Sequence, residues 1–180
     1  MREARFEVLV RAVGAPLHRY LVRRAEPAAA DDVLAETMLV LWRRLDDVPN
    51  LSDRAEVDPD QVLPWCYGVA RGCLANARRA DRRRLRLVDK LARTASPPGE
   101  RTEHADLYDA LRTLGEVDRE VVMLWAWEGL APQEIAEVTT LTANAVSIRL
   151  HRAKKKLAAE LERKNGATAG QEQVKRGSEL

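Results

Sequence analysis

Basic side chains are the chemistry this sequence offers in quantity. Arg78, Arg79, Arg82, Arg83, Arg84 and Arg86 crowd LPWCYGVARGCLANARRADRRRLRLVDKLAR, and Arg149, Arg152, Lys154, Lys155 and Lys156 crowd AVSIRLHRAKKKL. Cations at this density displace counterions from nucleic acid and give salt-dependent affinity for it. Trp65 and Tyr67, just upstream of the first run, offer flat surfaces on which unpaired bases can stack. An aromatic at this spacing also serves as core, and an Arg-rich helix end also serves as a plain solvated face. Bond-breaking chemistry has no comparable support. Asp31, Asp32, His151 and the cysteines fall at no spacing that makes a nucleophile, base or metal set, so neither enzyme activity nor a cofactor is expected.

The second basic run belongs to GLAPQEIAEVTTLTANAVSIRLHRAKKKL, which reads as helix, tight turn, helix. Pro132 suits a first helical position, and Ile135, Ala136 and Val138 then face a core. After Thr139, Thr140 and Leu141, Thr142 can cap a second helix whose buried stripe is Val146, Leu150, Ala153 and Leu157. Asn144, Ser147, Ile148, His151 and Arg152 project from the other side. In a helix-turn-helix the start of the second helix enters the major groove, where short polar side chains and Arg reach base edges. Periodicity alone fits a solvated amphipathic hairpin equally well. The small Ala136 at a helix crossing, the cap at Thr142 and the concentration of charge on the second helix favour groove reading.

With 180 residues the chain can hold one domain or two small ones. Composition favours helix over sheet: 46% hydrophobic and 32% charged residues, with only 4% aromatic. A net charge of +2 is informative only through its uneven distribution. Cys66 and Cys73 lie on one expected helix about two turns, roughly 10 Å, apart, a poor geometry for a disulfide. With no close Cys pair, they read as packing residues and not zinc ligands. No apolar run is long enough to span a bilayer, and MREARFEVLV is too charged for a signal peptide, so a cytoplasmic location is expected.

In order, Phe6, Leu9, Val10 and Val13 predict a helix closed by Gly14; Pro16 opens a second, with Leu17, Tyr20 and Leu21, ended by Pro27. A third, AAADDVLAETMLVLWRRL, carries Asp31 and Asp32 in its first turn and Arg43 and Arg44 in its last, complementing the helix dipole. Leu34, Met38, Leu41 and Leu45 fit its buried stripe, leaving Asp32, Glu36, Leu39 and Trp42 on a mixed face that suits either a protein partner or burial on two sides. Residues 46–61 read as an exposed acidic loop, and a basic helix starts near Pro64. TASPPGERTEH marks a linker. Beyond it Leu107, Leu111 and Leu114 form one helix, and Asp118 caps another whose core candidates are Val121, Val122, Leu124 and Trp125. The expectation is all-α: a domain over 1–93, a linker over 94–105, a helix-turn-helix domain over 106–164 and a disordered polar tail over 165–180.

This order of segments resembles a bacterial sigma factor of the extracytoplasmic-function group, within the sigma-70 family, from Phe6 to Leu161. DDVLAETMLVLWRRL looks like the family's polymerase-binding segment, LPWCYGVARGCLANARRADRRR like its promoter-melting and −10-reading segment, and EIAEV with AVSIRLHRAKKKL like its −35-reading unit. The resemblance implies that Asp31, Asp32, Glu36, Leu39 and Trp42 meet core RNA polymerase, at the β′ clamp helices, with the β subunit a further contact. It assigns Trp65, Arg71, Asn76, Arg78, Arg79, Arg82 and Arg83 to the −10 element, and Thr142, Asn144, Ser147, Ile148, Arg149, Arg152 and Lys154 to the −35 element. Control by an anti-sigma factor is implied as well, without membrane insertion. Ala35, Gly72, Ser147 and Thr140 stand where the family commonly has Gln, Asn, Lys and a turn Gly. Thr140 is the awkward one, because a left-handed turn residue is resisted by a β-branched side chain and the turn can take another geometry instead. A conventional helix-turn-helix regulator, dimerising through its first domain, and a protein-binding adaptor are the other readings of the same pattern.

Overall fold

The structure, a computed structural model, describes residues 2–51, 57–88 and 105–177, those of 85–88, 105 and 165–177 by their backbone alone. Its described elements are helical, and they group into two compact units: Met1–Ala95 with Gln133–Leu141, and Ser96–Pro132 with Thr142–Leu180. The expected 94–105 linker lies almost wholly outside the described residues, and the first helix of the helix-turn-helix groups with the first unit instead of with its own successor.

Helix α1 runs from Arg2 to Val22 as one piece, so Gly14 and Pro16 do not divide it as expected. The apolar stripe explains why. Leu9, Val13, Leu17, Tyr20 and Leu21 are all fully buried and continue on one face through the proline. At about 2 kcal/mol for each buried side chain, they outweigh the ~3 kcal/mol of an interior proline. Helix α2, Pro27–Arg43, begins at the proline that was expected to end the helix before it, because a first-turn N–H has no intrahelical acceptor and its absence in proline costs no helical hydrogen bond. Asp31 and Asp32 therefore fall beyond its first turn and gain nothing from its dipole, whereas Arg43 does sit in the last turn. Its buried stripe is Ala30, Val33, Thr37 and Leu41, rotated from the expected one; Leu34 and Met38 are only half-buried. Thr37 is tolerated inside because its hydroxyl donates to the Val33 carbonyl at 2.7 Å.

A short 3-10 turn, Leu45–Asp47, follows. Leu45, Val48 and Leu51 are buried, so the start of the expected loop is anchored in the core; residues 52–56 lie outside the description. Helix α3, Pro59–Val88, starts five residues before the expected Pro64, which is itself buried inside the helix. Asp58 sets that start: its carboxylate accepts from the Asp60 amide at 3.1 Å and the Gln61 side chain at 2.9 Å. Val62, Cys66, Tyr67, Ala70, Cys73 and Leu74 form the buried stripe of α3, which packs with α1 and α2. Between α3 and the segment Gln133–Leu141, the Val138 backbone passes 3.9 Å from where a Cβ on Gly68 would lie.

In the second unit α4, Ala105–Arg112, and α5, Glu116–Ala126, are tied by Arg119. Its guanidinium donates to the carbonyls of Leu111, Arg112 and Leu114 at 2.9, 3.3 and 3.1 Å, closing the end of α4 where carbonyls lack helical donors. Gly115, not Asp118, holds the cap position of α5, and Asp118 lies in the first turn. The other end of α5 closes where Gly129 takes a φ of 71° and lets the Leu130 amide reach back to the Leu124 carbonyl at 3.2 Å. Val121, Val122 and Leu124 are core as expected, but Trp125 is 41% exposed. Helix α6 spans Pro132–Thr139, with Ile135, Val138 and Thr139 buried. Helix α7 spans Ala143–Gly177 and packs on α4 and α5. It carries straight through the stretch expected to be a disordered tail: Ala, Gln, Glu and Lys there are good helix formers, and each residue added to an existing helix costs no new nucleus.

Candidate nucleic-acid interface

Between α6 and α7 the backbone turns at Thr140, which adopts a φ of 61°. The left-handed geometry is thus taken despite the β-branched side chain, and the Thr140 hydroxyl donates to the Thr139 carbonyl at 2.6 Å. Thr142 performs the expected cap: its Oγ1 accepts from the Ala145 amide at 3.2 Å. With that start fixed, Val146, Leu150, Ala153 and Leu157 are buried, and Asn144, Ile148, His151, Arg152 and Lys155 form an exposed stripe on the opposite side of α7. Ile148 is 44% exposed in the middle of it, an apolar group set among polar ones and suited to a thymine methyl. Ser147 is exposed at its edge and donates back to the Ala143 carbonyl at 3.0 Å.

The two other cations expected at the −35 element lie off this stripe. Arg149 donates to the Asp118 carboxylate at 2.7 Å, and the Lys154 ammonium sits 3.9 Å from the centre of the Trp125 ring. Lys156 donates to the Thr113 carbonyl at 2.6 Å. Sequence spacing places these side chains on α7, but their partners on α5 and in the turn between α4 and α5 become neighbours only through folding.

In the first unit, the cationic half of α3 is exposed from Arg78 to Arg84. Arg79 donates to the Asn76 side chain at 2.7 Å and Arg78 to the Arg24 carbonyl at 2.7 Å, so both lie ordered against the helical surface. Arg82 reaches the Arg78 carbonyl at 3.3 Å, Arg83 is exposed beside it and Arg71 is half-buried. The Arg86 side chain lies outside the described residues. Of the two candidate stacking rings, Tyr67 is a core residue, 3% exposed and packed against Tyr20 with ring centres 5.1 Å apart. Trp65 is half-buried, and the Arg44 guanidinium lies 5.1 Å from its ring.

On α2, Asp32, Glu36 and Leu39 are exposed together, with Leu39 at 47%. Asp31 pairs with His18 of α1 at 3.2 Å. Trp42 is half-buried, meeting Phe6 edge-on with ring centres 5.2 Å apart and carrying Arg2 5.3 Å from its own centre. The mixed face therefore divides: Trp42 joins α1 and α2, while Asp32, Glu36 and Leu39 remain open. Cys66 and Cys73 are buried free thiols. Burial pushes Cys66 up to about 12, and pushes Cys73 upward as well. Among the described residues no group of three or more His, Cys, Asp or Glu is placed to hold a metal ion, and no helix is long and apolar enough to cross a membrane.

The described residues are helical, and α6, the left-handed turn at Thr140 and the capped basic helix α7 follow one another in the order of a helix-turn-helix. Residues 104–157 match the family model "Sigma-70, region 4". The RNA polymerase sigma factor CarQ of Myxococcus xanthus is 31% identical over 140 residues, covering 72% of this chain and 73% of that protein. The sigma factor CnrH of Cupriavidus metallidurans is 28% identical over 176 residues, covering 84% of this chain and 87% of that protein. Its structure, solved in complex with the cytosolic domain of CnrY, superposes with a TM-score of 0.55 over 87% of each chain at 28% identity. The fold is shared too with the sigma factor RpoE of Bartonella quintana, solved with the anti-sigma factor NepR: TM-score 0.66, 18% identity, 87% of this chain and 96% of that one. The chain belongs to the sigma-70 family of RNA polymerase sigma factors, in its extracytoplasmic-function group.

Proposed function

We propose that this chain starts transcription by bridging core RNA polymerase and promoter DNA, with residues 1–93 and 106–164 as the two working domains. Asp32, Glu36 and Leu39 on the open face of α2 dock on the β′ clamp helices, with Asp31 and Trp42 fixing that helix against α1. Trp65, Arg71, Asn76, Arg78, Arg79, Arg82 and Arg83 serve the −10 element, where extruded bases and phosphates supply the binding energy for strand opening without ATP. Asn144, Ser147, Ile148 and Arg152 address −35 base edges and phosphates from a helix whose start is set by Thr142. The observation that carries this reading is the uninterrupted exposed stripe of α7 directly after a turn, within the residues that match region 4. The chain itself performs no bond chemistry and works in the cytoplasm. An anti-sigma partner restrains it, a role supported by the complexes in which the similar CnrH and the fold relative RpoE were solved.

Run-off transcription from genomic fragments, with purified core polymerase and with or without this protein, tests the proposal. New starts sharing two upstream elements are expected. Duplex binding without any new start would instead identify a conventional helix-turn-helix regulator.

A further inference from the structure

Helix α5 grips the DNA-reading helix at two points. Asp118 and Trp125 lie about two turns apart on one face of α5. The first holds Arg149 of α7 at 2.7 Å and the second carries Lys154 at 3.9 Å. A guanidinium bonded this closely to a carboxylate has its charge answered and its planar donors aimed. Only Nη1 makes that bond, so a phosphate there would share the cation with the Asp118 carboxylate, which already sets the direction of the guanidinium and offsets part of its charge. Arg152 and Lys155, by contrast, stand on the exposed stripe beside Ile148. The side chains of Asp118 and Arg149 are 34% and 42% exposed, which makes the pair weak as a source of stability but leaves it able to set direction.

We propose that Asp118 is a positioning residue for DNA reading: its carboxylate holds Arg149 on α5 and fixes the rotation of α7, so that phosphate contact at the −35 element falls to Arg152 and Lys155. This assignment rests on the −35 role proposed above. Lys155 becomes a DNA contact in its own right, and Arg149, despite its place in the reading helix, acts through another residue.

The test uses the full chain bound to core polymerase and a labelled promoter fragment recovered by the run-off experiment, with affinity measured across a salt series. Arg152→Ala and Lys155→Ala are each expected to flatten the plot of log affinity against log salt by about 0.9, the signature of one lost phosphate contact. Arg149→Ala should lower affinity with the slope unchanged. The pair exchange Asp118→Arg with Arg149→Asp should recover most of the affinity lost by Arg149→Asp alone, and thermal melting of each variant verifies folding. If Arg149→Ala unfolds the chain, the pair exchange decides. A flattened slope for a folded Arg149→Ala, or an exchanged pair that binds no better than Arg149→Asp, overturns the assignment while leaving the −35 role standing. A wild-type chain that directs no new starts overturns both.

Discussion

Thr140 holds a φ of 61° with a β-branched side chain, a conformation that costs a residue of this kind of order 1–2 kcal/mol. Replacement by Gly removes the clash at the expense of a more flexible unfolded chain and the hydroxyl contact to Thr139. The expected net effect of Thr140→Gly is a stabilisation of about 1 kcal/mol, read as a higher urea midpoint; an unchanged or lower midpoint would show that the turn stores no strain. Cys66 has the opposite character, fully buried and inert. Its thiol is pushed up from 9.0 to about 12 by burial, so folded and unfolded chains carry the same proton below pH 9. Above that the unfolded chain ionises first. The thiol's contribution to stability is therefore complete below pH 9 and is lost as pH rises toward 12. Unfolding followed between those limits should show a shallower pH dependence for Cys66→Ala than for the wild type. In the native protein neither thiol should react promptly with a disulfide reagent at neutral pH, and rapid labelling would contradict the burial.

At the scale of elements, most helices were legible because their apolar residues recur at helical spacing: the stripe Val146, Leu150, Ala153 and Leu157, and the cap at Thr142, stand in the structure as read. Helix boundaries depart from the sequence pattern at prolines. Pro16 lies inside α1 and Pro64 inside α3, because burial along a whole face outweighs one missing amide donor, and Pro27 opens α2 instead of closing the helix before it, at a position where no donor is needed. The candidate site was legible as a set of residue types but not as a set of partners. Nothing in local spacing links Arg149 to Asp118, Lys154 to Trp125 or Trp42 to Phe6, since each pair is made only when helices pack. The same holds for Arg119, a charged residue that reads as surface and instead closes α4 through three carbonyls. Arg119→Ala should destabilise the second unit by about 1.5 kcal/mol, with faster amide exchange at the end of α4. Arg119→Lys should recover only part of the loss, because a single ammonium cannot span carbonyls that a planar guanidinium bridges.

At the scale of the whole molecule, a net charge of +2 conceals an uneven distribution: exposed carboxylates on α2, and exposed cations on α3 and on α7. The proposed function needs both, because one partner is a polyanion and the other a protein. Because the carboxylates and the cations lie on different helices, the two activities should be separable by substitution. Asp32 and Glu36 lie one turn apart on α2 beside the exposed Leu39, and neither takes part in the buried stripe of Ala30, Val33, Thr37 and Leu41. Reversing both charges, Asp32→Lys with Glu36→Lys, should therefore leave the fold intact and weaken binding to core polymerase by about tenfold or more, as expected for charges that steer and orient a protein interface. Binding of a −35 duplex by the same variant should be unchanged. Core affinity by titration, duplex affinity by anisotropy and run-off transcription distinguish the outcomes. Loss of core binding and of new starts, with duplex binding retained, supports the α2 docking face. Unchanged core affinity would move the polymerase contact elsewhere on the chain, and loss of duplex binding as well would mean that the two surfaces are not independent.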